Sequence, residues 1–421
     1  MPELPPAAAA RRRLLKASAA TMTAAALPGS YPRLAAAATA SAALPPLRTL
    51  TAGVRVDAAD PAASLGRASE FLAQGRALFT AAGYTLQTTR IVTQPAADYL
   101  AGLPDQELEQ RLAAMQAAAA PNLLGIGPVR VPGSSAQAAE ALALAIAGRG
   151  IACSLPLDGA NGSIDRAALR SAAAVIRALA DRDPATNFNF AATAQVPPGV
   201  PFFPAGFHDG QGDAFALGLE GAGLFLATAR EMQGLAAGSA PLAMAWDAAL
   251  RAVETWALQL AEQTGWRYLG IDPTPAQWGE NSIAAAVEAL TGAPFGKPGT
   301  LAGCRLFTQA LRAAQVRQTG YRGLFLPPME DATLAQRAFD HYGLDALLAY
   351  SAVCGTGLDT VALPGDVRPA ELERILRDVA SLALQWRKPL TARLFPVPGR
   401  QAGESTGPVG DLFPMTILPV R

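Results

Sequence analysis

The feature that most constrains this chain is a tight alternation of strand-like and helix-like runs from residue 47 onward. Leu47 to Val56 mixes apolar and polar side chains as a strand does. Asp60 and Ala62 open a helical stretch to about Ala82, where Gly83 stops it. Tyr84 to Thr93 is a second strand closed by Pro95, Asp105 to Ala119 a helix, and Asn122 to Ile126 a short strand. Ser134 to Ala147 (helix), Ile151 to Leu155 (strand), Asp165 to Leu179 (helix) and Phe188 to Val196 (strand) continue the rhythm. This pattern is the signature of a largely parallel α/β sheet or barrel.

The rhythm breaks at Val196 to His208, a run of Pro, Gly and aromatic residues that cannot be helical, since each proline removes a donor. Long loops of this kind are often functional. Strands are then expected at Ala214–Leu219, Trp266–Ile271, Gly323–Leu326 and Pro389–Phe395. Helices are expected near Ala222–Met232, Pro241–Gln263, Ser282–Leu290, Leu301–Ala314, Ala332–Phe339 and Glu371–Trp386. Leu344–Val353 fits either state, and Gln401–Arg421 reads as loop and a last strand. With no repeat and no linker, residues 43–421 form one expected domain.

The first residues carry Arg11-Arg12-Arg13-Leu14-Leu15-Lys16, then an Ala-rich apolar run to Leu27 and small-residue cleavage options at 38–40 and 40–42. This order is read as a twin-arginine signal over residues 1–42. It predicts a periplasmic or secreted protein, with the twin-arginine translocase as partner during export. Hydrophobic residues make up 51% and charged residues 16%, enough apolar material for a large core, which argues against disorder. Formal net charge is +0 without a basic stripe, so nucleic acid is not an expected partner. No later segment is long and apolar enough for stable membrane insertion. A small-molecule ligand is expected, and a homo-oligomer is compatible with the sequence. Three widely spaced cysteines do not make a disulfide framework, and two histidines leave little room for His-rich metal sites.

Four constellations carry polar chemistry. Cys354-Gly355-Thr356-Gly357-Leu358-Asp359 sets a thiol before a glycine turn; the thiol is a nucleophile if its surroundings lower its pKa, and otherwise a buried small side chain. Asp272 ends a strand, and Glu280, Asn281 and Ser282 precede a helix, where capping and ligand contact are both served. Glu330-Asp331 and Glu220 are further carboxylates at strand ends, able to act as acid and base or as oxygen ligands. Arg393 lies within an apolar strand, as Arg48 and Arg90 do on the first two, and each needs a partner if buried.

Leu47-Arg48-Thr49-Leu50-Thr51-Ala52-Gly53, Pro201-Phe202-Phe203-Pro204, Gly218-Leu219-Glu220, Glu280-Asn281-Ser282-Ile283, Pro294-Phe295-Gly296, Gly320-Tyr321-Arg322-Gly323-Leu324, Val353-Cys354-Gly355-Thr356-Gly357-Leu358-Asp359 and Leu363-Pro364-Gly365-Asp366 follow in order. With them the chain resembles the family catalogued as domain of unknown function 711, over nearly all of the mature part. The resemblance implies a large α/β barrel similar to pyruvate formate-lyase and ribonucleotide reductase, with an inner hairpin loop; by analogy that loop carries Cys354. The Arg-Val-x-Gly-Tyr element of the glycyl radical relatives is absent, so radical catalysis is not expected.

The functional expectation is an enzyme acting on a small anionic metabolite by a lyase, isomerase or hydrolase step near Cys354. Cys354, Asp272, Glu220 and Arg393 are its expected catalytic residues. Glu280, Asn281, Ser282, Gly355, Gly357, Asp359, His208, Arg48 and Arg90 are its expected ligand contacts. The cofactor is left open; a divalent metal would draw on Asp272, Glu220, Glu330 and Asp331. The competing reading is a non-catalytic periplasmic binding protein with the same pocket.

Overall fold

A computed structural model describes residues 44–131, 134–159 and 162–420. The expected leader therefore lies outside the described residues. Among the described residues nine strands are present: β1 (Leu47–Val54), β2 (Leu86–Thr93), β3 (Leu123–Gly125), β4 (Cys153–Pro156), β5 (Phe190–Ala194), β6 (Ala214–Glu220), β7 (Arg267–Ala276), β8 (Gly357–Pro364) and β9 (Leu390–Val397). They form a five-stranded sheet in the order β3-β2-β1-β6-β7 and a four-stranded sheet in the order β4-β5-β9-β8. Pairing is parallel within β1-β2-β3, β6-β7, β4-β5 and β8-β9; it is antiparallel only where β1 meets β6 and β5 meets β9. The architecture is thus a mixed α/β fold with two parallel-rich sheets.

The two sheets touch at β3 and β4. Ile126 N–H donates to Ala152 O at 2.8 Å, and Ala152 N–H donates to Leu124 O at 3.0 Å. On the far side, Ile271 of β7 pairs in parallel with Gln318. That segment continues to Gly323, which lies against Gly355 just before β8.

Helices cover the sheets because their starts and stops are written locally. Asp60 caps Pro61–Ala81 by accepting from Ala63 N–H at 3.0 Å. Asp165 caps Arg166–Arg182 by accepting from Ala167 and Ala168 at 2.8 and 3.2 Å. Gly265 and Gly292 end Ala240–Thr264 and Ile283–Thr291 in the left-handed conformation that suits glycine. β6, β8 and β9 are buried at every position, as sheets covered on both faces require. One continuous apolar cluster runs through both sheets and their helices. Among the described residues no helix is long and apolar enough to cross a membrane.

The structure decides one open reading and corrects others. Leu344–Val353 is helical, ending at Cys354. Residues 323–326 form no strand, although Gly323 packs on Gly355 and Leu324 O accepts from Thr356 Oγ1. Strand β8, in contrast, was hidden behind glycines that read as a turn. The tail carries only isolated bridges, Ser405 to Thr416 and Val409 to Leu412, rather than a strand.

Candidate functional site

The site grows from Arg393, on β9 in the middle of the four-stranded sheet. Leu358 pairs with Ala392 and Val361 with Leu394, so Asp359 and Thr360 together stand opposite Arg393. This is a β-bulge, which re-aims side chains. Here it lays the Asp359 carboxylate against Arg393 Nε. Arg393 Nη2 donates to Glu330 Oε1 at 2.7 Å. The guanidinium carbon lies 4.7 Å from the ring centre of Phe188 and 5.1 Å from that of Phe202. Only 3% of Arg393 is exposed. Burial alone would lower its pKa, but Asp359 and Glu330 more than offset this and hold it charged. Burial pushes the Asp359 carboxyl up, with Arg393 opposing the rise.

Glu330 passes the cluster on to Arg48, the second residue of β1. Its Oε2 lies 3.8 Å from Arg48 Nη2, and Arg48 Nη1 reaches Glu220 Oε1 at 3.3 Å and Gln87 Oε1 at 3.0 Å. Asp359, Arg393, Glu330, Arg48 and Glu220 thus form one chain of alternating charge drawn from β8, β9, β1, β6 and the turn before residue 332. Its two arginines are held differently. Arg393 is clamped by two close carboxylates under two rings, whereas Arg48 keeps longer contacts and its side chain is 15% exposed.

The other expected residues fall in separate places. Arg90 is buried on β2, donates from Nη1 to Pro201 O at 3.1 Å, and lies 4.9 Å from the centre of Phe203. His208 packs on Gly53, and its N–H donates to Thr93 O at 2.9 Å. Gly53 is five residues along β1 from Arg48, about 17 Å at strand spacing, so His208 belongs to the other end of the sheet. Asp272 is buried and accepts from Thr274 N–H and Oγ1 at 3.0 and 2.6 Å and from Tyr321 and Arg322 N–H at 3.0 and 3.2 Å. That set of donors pins the 320–323 turn to β7.

Cys354 caps Leu344–Val353 and is wholly buried within the apolar cluster. Its carbonyl and that of Ser351 accept from Lys388 Nζ. Burial pushes its thiol pKa up despite Lys388 nearby, so the site environment does not activate it. Gly355 and Gly357 serve backbone packing: a Cβ on Gly355 would lie 2.5 Å from Gly323 Cα, and one on Gly357 would lie 2.4 Å from Thr391 O. The connector from β5 to β6 brings Pro201 and Phe203 to Arg90 and Phe202 to Arg393.

Glu280 is exposed, Asn281 bridges to Trp278, and Ser282 caps Ile283–Thr291. Ser282 Oγ donates to Asp331 Oδ1 at 2.6 Å. Of the oxygen ligands considered for a cation, Glu220 and Glu330 pair with arginines, Asp272 holds a turn and Asp331 caps Ala332–Arg337. Among the described residues no three His, Cys, Asp or Glu side chains gather as a cation site.

Asp331 yields a pH prediction. Burial raises its carboxyl from 3.8 to about 6, against the opposing pull of Ser282 Oγ–H and the N–H groups of Leu334 and Ala284. A carboxyl raised on folding stabilises the fold fully below its unfolded pKa, and this contribution is lost as pH rises through about 6. The rise is worth on the order of 3 kcal/mol. Asp331→Asn stays neutral, so its stability relative to the native chain is expected to climb by that order between pH 4 and pH 8. Denaturant titrations at both pH values read the difference; a constant gap overturns the assignment.

Sequence reasoning missed Gln87, Phe188 and Phe202 as members of the cluster. Phe202 was signalled by the Pro-Gly-aromatic run, but nothing local marks which aromatic meets which arginine.

The family model described as Uncharacterised ACR (DUF711) matches residues 46–407. A UPF0210 protein of Pyrobaculum arsenaticum is 35% identical over 257 residues, 57% of this chain and 56% of that one. A UPF0210 protein of Pyrobaculum aerophilum is 32% identical over 253 residues, 56% of this chain and 55% of that one. A third, from Desulforudis audaxviator, is 38% identical over 141 residues, 32% of this chain and 31% of that one. The matched part spans about half the length of the two Pyrobaculum relatives.

Proposed function

Since the chain belongs to the DUF711 family, we propose that it is an enzyme acting on a small anionic metabolite at the Arg48–Glu330–Arg393 cluster. One observation carries the reading: five ionisable side chains from separate elements converge inside the molecule, where desolvation is costly unless the arrangement is used. The unequal grip within the cluster divides the roles. Arg393 and Asp359 are the fixed part. Arg48, more exposed and held by longer contacts, is the clamp that exchanges a protein carboxylate for a substrate one. Glu220 and Glu330, left beside the bound acid, are the proton donor and acceptor. The reaction is therefore a proton-transfer step of the lyase, isomerase or hydrolase kind, without a role for the Cys354 thiol.

We also propose that the two sheets close into one barrel of the pyruvate formate-lyase type. Support comes from the hydrogen bonds joining β3 to β4, from the Ile271–Gln318 bridge, and from the approach of Gly323 to Gly355 beside β8. In that barrel the β5–β6 connector is the inner loop. Export remains part of the proposal and rests on the Arg11-Arg12 motif.

The test uses a panel of short acids, from acetate and succinate to phosphoenolpyruvate, followed by thermal melting. At least one acid is expected to raise the melting temperature of the native chain. Arg48→Lys keeps the charge but loses the forked contact, and should weaken that acid at least about tenfold. No response to any acid, or an equal response in both proteins, would sink the reading. Recovery of a bound acid unchanged after long incubation would make the protein a binder rather than an enzyme.

A further inference from the structure

Thr360 is held in a conformation that its own side chain resists. Its φ is 44°. That is the left-handed region, ordinary for glycine and an outlier for a β-branched residue. Thr360 is also completely buried, and its Oγ1 has no hydrogen-bond partner among the described residues. Both costs fall on the residue that forms, with Asp359, the bulge opposite Arg393. The bulge explains the backbone, since it lays Asp359 on Arg393. It does not explain the side chain, because glycine would make the same bulge without strain and without a buried hydroxyl. Backbone strain concentrates at sites whose geometry the surroundings over-determine. A buried polar group without a partner calls for its own explanation.

We propose that Thr360 is a ligand-binding residue of the cluster site, its Oγ1–H donating to an oxygen of the bound small acid. This rests on the reading of the cluster given above. It adds a neutral donor from the bulge that stands opposite Arg393 and fixes one oxygen of the acid on the β8 side. The threonine is kept, on this account, because its methyl group and strained backbone hold the hydroxyl in one orientation.

Three variants separate strain from hydrogen bonding, each measured by thermal melting and by calorimetric titration with the tightest acid of the panel. Thr360→Val keeps the branched shape and loses the hydroxyl. It is expected to melt within a few degrees of the native chain and to bind about tenfold or more weakly. Thr360→Ser keeps the hydroxyl and sheds the branch; it should bind within about threefold of the native chain and melt at the same temperature or higher. Thr360→Gly relieves the strain and loses the donor, so it should melt higher and bind as weakly as the valine variant. A valine variant that binds as tightly as the native chain overturns the proposal while leaving the cluster reading intact. If the valine variant does not fold, serine against glycine makes the same comparison, and equal affinities overturn it. Failure of the native chain to bind any acid removes the cluster reading, and this inference with it.

Discussion

Arg393→Met is expected to lower the unfolding free energy by about 3–5 kcal/mol, read as a fall in the denaturant midpoint. The size comes from what the substitution leaves behind. Asp359 and Glu330 are 2% and 6% exposed, and each loses a charged donor at Arg393. A buried carboxylate deprived of its partner pays its desolvation uncompensated or takes up a proton. The methionine also gives up the contacts of the guanidinium with Phe188 and Phe202. The cost belongs to breaking the cluster rather than to the worth of the ion pairs. Adding Asp359→Asn to the same chain should therefore recover part of the loss, since the charge left facing the methionine is then gone, whereas Glu330 still has Arg48 at 3.8 Å. A single-variant loss below about 1 kcal/mol would show the carboxylates are not held by Arg393.

Gly323→Ala should cost on the order of 3 kcal/mol or prevent folding. A Cβ at residue 323 would lie 2.2 Å from Gly355 Cα and 2.3 Å from Gly355 N. Both are backbone atoms, so no side-chain rotation relieves the collision. The two segments cannot simply separate. Thr356 Oγ1 donates to Leu324 O at 3.0 Å beside the crossing, and Asp272 pins Tyr321 and Arg322 just before it. Gly66→Ala is the control. Gly66 lies within Pro61–Ala81 with nothing near its added Cβ, and alanine there should stabilise by up to about 1 kcal/mol. A Gly323→Ala protein that melts like the native chain would mean that β7 and β8 are not joined through this crossing.

These two predictions bear on the parts of the molecule least visible in the sequence. The crossing explains the error over residues 323–326 and the oversight of β8. Glycines at 355 and 357 are local punctuation for a turn. Here they let one strand begin flush against another segment, and the requirement arises only once both are in place. Thr360 is similar: nothing in Leu-Asp-Thr-Val-Ala-Leu announces a left-handed backbone at the threonine.

The cluster was legible as single residues and opaque as a network. Arg48, Glu220, Glu330, Asp359 and Arg393 each attract notice because a charge in or beside an apolar strand needs a partner. Which partner is a matter of folding. Arg393 meets Glu330 across 63 positions of chain, and Arg48 meets Glu220 across 172. The same limit applies to Cys354. A thiol before Gly-x-Gly looks poised for chemistry, but its reactivity depends on solvent and charge, and the fold gives it an apolar surrounding.

By itself the sequence determined what short-range chemistry decides. Periodicity placed helices such as Asp105–Ala119 to the residue, caps at Asp60, Asp165 and Ser282 started them, and a glycine at 292 ended one. Ordered motifs placed the chain in its family. Tertiary structure alone decided that Arg393 is sealed under Phe188 and Phe202, that Arg48 stays closer to solvent, and that Cys354 is core. The physical reason is range. Caps and periodicity act over a few residues, whereas burial and ion pairing depend on which distant segments the sheet order brings together.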